Sequence, residues 1–98
     1  MPIHSRDDAL RFLGQYLPTL RKMGVETLGM FGSFARDEVT EESDLDLFVT
    51  FDGPTPYPDY FDILFFVEDR IGRKVDLVTP NMLKTFVEPE VEKDIIYV

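Results

Sequence analysis

From Asp44 to Phe51 the chain alternates strictly. Leu45, Leu47, Val49 and Phe51 fall on one side of an extended backbone, and Asp44, Asp46, Phe48 and Thr50 on the other. Such a segment is a strand with one buried face, so a sheet must run through the molecule with two carboxylates pointing the same way from its second face. Ten residues separate Asp44 from Ser33, the second residue of a Gly32-Ser33 turn. An Asp-x-Asp pair alone means little in a chain with 11 aspartates, where chance supplies about one. A Gly-Ser turn at a set distance upstream makes the combination far rarer, on the order of one in several hundred chains of this composition.

The remaining elements can be read around that strand. Ser5 followed by Arg6-Asp7-Asp8 is a helix N-cap with acids in the first turn, and Leu10, Leu13, Leu17 and Leu20 recur at helical spacing. Pro18 predicts a kink or two short helices, closed by Met23-Gly24. His4 stands alone and reads as a surface residue. Val25–Phe31 has strand composition, and Ser33–Arg36 fits a short helix whose N-terminus is opened by Gly32 and Ser33. Residues 37–43 are a polar loop. With three prolines between Asp52 and Pro58, that stretch reads as a stiff loop, and a helix follows from about Asp59 to Ile71, ended by Gly72.

On that helix Tyr60, Phe61, Leu64, Phe65, Glu68 and Ile71 lay out the apolar face, with Phe66 and Val67 off the stripe. Packing by the N-terminal helix is the first expectation for this aromatic excess, and a partner the second. Arg73–Val78 reads as a third strand, with Asp76 opposite to Val75 and Leu77. A last helix is expected from Pro80 to about Val87, and Ile95–Val98 as an edge strand, a docked tail or a contact surface.

Residues 1–98 are expected to form one domain, an α/β fold with a short mixed sheet and helices covering one face. No apolar run reaches the roughly 20 residues of a membrane helix, and the start lacks a basic region followed by an apolar one. Cysteine is absent, which excludes disulfides and thiolate zinc sites and fits a cytoplasmic protein. A net charge of −9 argues against direct nucleic-acid binding, which needs a basic patch, and favours a basic protein partner.

The chemistry that fits the opening stretch is phosphate and metal binding. Carboxylates two apart on one strand face lie about 7 Å apart at Cα, close enough for their oxygens to converge on one cation or bridge two. Gly32 allows close backbone approach to phosphates, and Ser33 adds a hydroxyl. Asp76 is a candidate to complete the metal site and accept a proton from an attacking hydroxyl. The competing readings are a solvent-facing Asp76 and an Asp44/Asp46 pair that merely guards a sheet edge.

Gly32-Ser33-Phe34-Ala35-Arg36, Ser43-Asp44-Leu45-Asp46-Leu47 and Val75-Asp76-Leu77-Val78, in that order, resemble the minimal nucleotidyltransferases of the DNA polymerase beta superfamily. Within it the chain is most similar to the antitoxin partners of HEPN-type toxins. The resemblance implies the polymerase-beta-like minimal fold and transfer of AMP from ATP to a hydroxyl, a tyrosine of the toxin, which silences it. It implies Mg²⁺, as two ions, held by Asp44, Asp46 and Asp76, and a nucleotide met by Gly32, Ser33, Arg36 and Ser43. Two alternatives stand beside it: an antitoxin that acts by binding alone, and nucleotidyl transfer to a small molecule. One position departs from the family pattern, since Asp37 occupies the place usually held by Gly. An acid there would oppose ATP unless it faces away or helps hold metal.

Overall fold

The computed structural model describes residues 3–52, 57–80 and 93–98. In chain order it runs α1 (Arg6–Lys22), β1 (Val25–Phe31), α2 (Gly32–Ala35), β2 (Leu45–Phe51), α3 (Tyr57–Ile71), β3 (Val75–Val78) and β4 (Ile96–Tyr97). The four strands form one mixed sheet in the order β3-β2-β1-β4. β1 pairs antiparallel with both β2 and β4, whereas β2 and β3 run parallel through the α3 crossover. The tail therefore resolves as an edge strand.

α1 starts where its sequence says it should. The Ser5 hydroxyl accepts the Asp8 amide, and Arg21 and Lys22 lie in the last turn, where cations favour the helix dipole. Pro18 does not split the helix as its type predicts. Both Pro18 and Gly14, whose carbonyl loses its partner, lie on the solvent side, so water can satisfy the freed oxygen.

Alternation in β2 sorts as read. Leu45, Leu47 and Val49 join Leu28 and Met30 of β1, Phe12, Leu13 and Leu20 of α1, and Ile63, Val67 and Ile71 of α3 in the main core. α1 and α3 thus cover that face. The second face is less bare than an open cleft would be: Phe31, Phe48 and Val78 form a small buried cluster with Ile95 against it. Gly29 makes room for it, because a Cβ there would lie 2.7 Å from the Ile95 side chain.

Two expectations for α3 need correction. It begins at Tyr57, with Pro58 in its first turn, where a proline costs no hydrogen bond. Its core stripe is Ile63, Val67 and Ile71, whereas Phe61 and Phe65 are exposed. The aromatic type of residues 61 and 65 pulled the assigned stripe round the helix, and packing chose the β-branched residues instead. Phe66 does pack against α1, with its ring 5.7 Å from Tyr16. The helix expected after Pro80, and the proline-rich part of the loop at 53–56, fall outside the described residues.

Replacing Pro18 with Ala restores the missing backbone bond in α1. It should raise stability by about 1–3 kcal/mol, read as a higher midpoint in urea or thermal unfolding; no gain would mean that water already satisfies the Gly14 carbonyl.

Candidate active site

The parallel register of β2 and β3 decides the site. It sets Asp46 directly across from Asp76, with Leu45 opposite Val75 and Leu47 opposite Leu77. Adjacent parallel strands are about 4.8 Å apart, so two carboxylates at one register position on one face must meet. They come within hydrogen-bonding reach, and Asp44 adds a third negative charge nearby. Burial, then the Asp76 carboxylate, then Asp44 push the Asp46 carboxyl up to about 7, with Arg36 pulling weakly the other way.

Gly32 is required by the same carboxylate. Its φ is +73°, in the region that favours glycine, and a Cβ there would collide with Asp46 Oδ2 and lie 3.1 Å from Asp46 Cγ. The glycine of the Gly-Ser turn is therefore fixed by its contact with the Asp-x-Asp strand. Ser33, half-buried, is the second residue of the single turn α2.

Not every residue singled out in the sequence meets at that point. Asp44 lies just before β2, and its Oδ2 is 3.8 Å from Lys74 Nζ. Among the described residues no three His, Cys, Asp or Glu side chains converge closely enough to form a closed cation cage. Arg36 gives its guanidinium to two acids, with Nη1 2.7 Å from Asp94 Oδ2 and Nε 2.7 Å from Glu38 Oε1. These partners, Asp94 first, hold its pKa above the ordinary arginine value. The Ser43 hydroxyl is occupied within the loop, accepting the Thr40 amide at 2.9 Å.

Asp37 answers the question its position raises. It adopts φ +58°, the left-handed conformation that a glycine would take, which aspartate tolerates better than most residues. Its Oδ1 accepts the Arg6 amide at 2.9 Å, so the carboxylate turns toward the positive end of α1.

Four contributors carried no signal of their own in the sequence. Arg73 donates to the carbonyls of Thr40, Ser43 and Ile3, and its guanidinium lies 5.1 Å from the Phe34 ring centre. It thereby ties the loop before Asp44 to the start of β3. Tyr60 donates its hydroxyl to the Leu77 carbonyl at 2.6 Å, and burial, then the Asp76 charge, raises its pKa. Asp94 comes from the C-terminal segment to meet Arg36. Lys74, two residues before Asp76, brings its ammonium to Asp44.

A cleft of about 480 Å³ passes these groups, lined by Asp46, Asp76, Lys74, Tyr60, Leu64 and Glu68 together with Phe31, Val75, Leu77 and Val78. A second depression, lined by His4, Val39, Thr40, Glu41 and Arg73, includes neither Asp46 nor Asp76. An all-oxygen donor set with two carboxylates already together and a third alongside suits a hard divalent cation such as Mg²⁺.

The raised Asp46 pKa has a stability consequence. The native state holds this proton more tightly than the unfolded chain, so its stabilising effect is complete below the unfolded pKa near 4. It is then lost as pH rises toward 7. In metal-free buffer the protein should therefore melt lower as pH climbs through that window. Asp46→Asn should flatten the dependence and melt above wild type at pH 8; an unchanged pH profile in the variant would contradict the assignment.

The model of the nucleotidyltransferase domain family matches residues 13–98. A Methanocaldococcus jannaschii protein, provisionally named a protein adenylyltransferase, is 41% identical over 81 residues, covering 79% of this chain and 80% of its own length. The protein adenylyltransferase MntA of Thermococcus cleftensis is 32% identical over 77 residues, covering 79% and 78%. Among solved structures, a minimal nucleotidyltransferase superposes with a TM-score of 0.80 at 27% identity, covering 94% of each chain. A toxin–antitoxin complex with AMP-PNP shares the fold, with a TM-score of 0.71 at 17% identity over 86% of this chain and 69% of that one. With the family model spanning residues 13–98 and a relative 41% identical over 79% of this sequence, the chain belongs to the nucleotidyltransferase domain family.

Proposed function

We propose that this nucleotidyltransferase moves AMP from ATP to a hydroxyl, a tyrosine of a HEPN-type toxin, and so acts as an antitoxin. The observation that carries the reading is the pairing of Asp46 with Asp76 across β2 and β3, beside the glycine that Asp46 requires. The names of the adenylyltransferase relatives support it.

In this reading Asp44 and Asp46 hold Mg²⁺, with Asp76 as the third carboxylate, and the turn at Gly32 and Ser33 receives the phosphates. The bound cation supplies charge neutralisation at the triphosphate and polarises the phosphorus under attack. Arg36 would exchange Asp94 or Glu38 for a phosphate oxygen, and Ser43 serves the nucleotide by holding the loop that leads into Asp44. Asp76 accepts the proton of the acceptor hydroxyl. The freed oxygen forms a bond to the α-phosphorus while the bond to the pyrophosphate oxygen breaks, and pyrophosphate leaves. Lys74 offsets part of the acidic charge that would otherwise repel ATP.

A toxin that grips RNA is basic, and a chain of net charge −9 is steered toward it. Transfer to a small molecule is less well supported, since the cleft is open to solvent and a second surface would be needed to enclose an acceptor.

Intact mass spectrometry of the toxin after incubation with ATP, Mg²⁺ and this protein should show the gain of one or more AMP units. Asp44→Asn with Asp46→Asn should abolish the gain. An unmodified toxin that is still neutralised by the double variant would instead establish inhibition by binding alone.

A further inference from the structure

Side chains step round a helix by about 100° per residue, which orders the rows of α3. Tyr60, Leu64 and Glu68 form the row that lines the cleft with Asp46 and Asp76. The next row round is Phe61 and Phe65, and beyond it lie Asp62 and Asp69, both exposed. The opposite flank is already covered, by Phe66 on Tyr16 of α1.

Phe61 and Phe65 are 47% and 57% exposed, and their rings stack with centroids 6.2 Å apart. Phe61 also meets Tyr60 edge-on at 5.2 Å, which joins this ridge to the wall of the cleft. Two adjacent exposed phenylalanines backed by a helix form an apolar patch that water does not favour, and such patches mark contact surfaces. The surroundings decide what fits. Pairing two copies of this chain would bring two Asp62/Asp69 stripes and two charges of −9 together, and an anionic membrane or nucleic acid would be repelled in the same way. A protein with an apolar socket rimmed by lysines and arginines satisfies both the ridge and the acids.

We infer that the Phe61–Phe65 ridge is the docking surface for the acceptor protein, a partner whose apolar socket carries a basic rim and which, seated there, overhangs the cleft at Asp76. This rests on the transferase reading, and it adds where the acceptor must sit. A partner seated on the ridge supplies a second wall over the cleft, and the Asp62/Asp69 stripe fixes which side of the ridge the basic rim takes.

The test uses the full chain in cells that produce it, with benzoylphenylalanine in place of Phe65 as a photocross-linker. The cross-linked protein should be the one that carries AMP. Phe61→Ser with Phe65→Ser should lower its modification by about 10–100-fold, the loss expected from two buried interface aromatics. Asp62→Lys with Asp69→Lys should lower it too, by slowing association, and more at low salt than at high. The serine pair should leave thermal stability and ATP affinity of the isolated protein unchanged. Undiminished modification by the serine variant would overturn the inference, as would a cross-link only to a second copy of the chain or to a protein that never carries AMP. Failure of the transferase reading is separate, because AMP would then be missing from every protein even with an unaltered ridge.

Discussion

Asp46 and Asp76 occupy the same register position on neighbouring parallel strands, and two carboxylates held that close work against folding unless a proton or a cation lies between them. Most of what surrounds them follows from this constraint. A parallel pair needs a crossover, which α3 provides, and α3 in turn places Tyr60, Leu64 and Glu68 along the edge where β3 would otherwise be bare. The Glu68 carboxylate accepts the Val75 amide at 3.1 Å, so the helix also fixes where β3 begins. Shifting that register by one residue would turn Asp76 into the core and separate the pair.

Positioning comes from side chains that never reach the cleft's centre. Gly32 leaves the space that the Asp46 carboxylate fills, and Asp37 takes the left-handed turn after α2 while bonding the start of α1. Arg73 binds three carbonyls from two distant segments, which sets the loop at Thr40–Ser43 against β3. The Gly32-Ser33 turn, β2 and β3 are thereby locked to one another. Transferases of this kind depend on such positioning, because in-line displacement at phosphorus asks the protein mainly for geometry and charge.

How much of this could be read beforehand depended on the range of the interactions. The bounds of β1, the alternation of β2, the Ser5 cap and the stop at Gly72 are local, set by a residue and its near neighbours, and the structure keeps them. The α3 stripe was misjudged because Phe61 and Phe65 are as apolar as Ile63 and Val67, and only the sheet beneath the helix distinguishes them. Of the kink or two short helices that Pro18 predicts, the structure excludes the second, because the proline lies on the solvent side of one continuous helix. Meeting of Asp46 with Asp76 was anticipated as a shared face, yet its closeness is a matter of strand register, which composition does not encode. The roles of Asp37, Arg73 and Asp94 span 31, 70 and 58 residues of chain and left no trace in any local pattern. Ser43 shows the reverse case: its place beside Asp44 is as read, while its hydroxyl serves the loop.

Outside the site, the acid excess and the exposed ridge of α3 act together with it. Under the proposed function, the same negative charge that makes two carboxylates costly to bring together would draw a basic protein toward them, and a divalent cation would relieve the cost. All of this turns on the Asp46 carboxyl being held far from its ordinary state by burial and by the neighbouring Asp76. Carbon-detected NMR titration of the Asp46 side chain, without and with Mg²⁺, measures that directly. The account predicts a midpoint of about 7 in metal-free solution, falling well below it when Mg²⁺ is present; an ordinary aspartate midpoint near 4 without metal, unmoved by its addition, would contradict it.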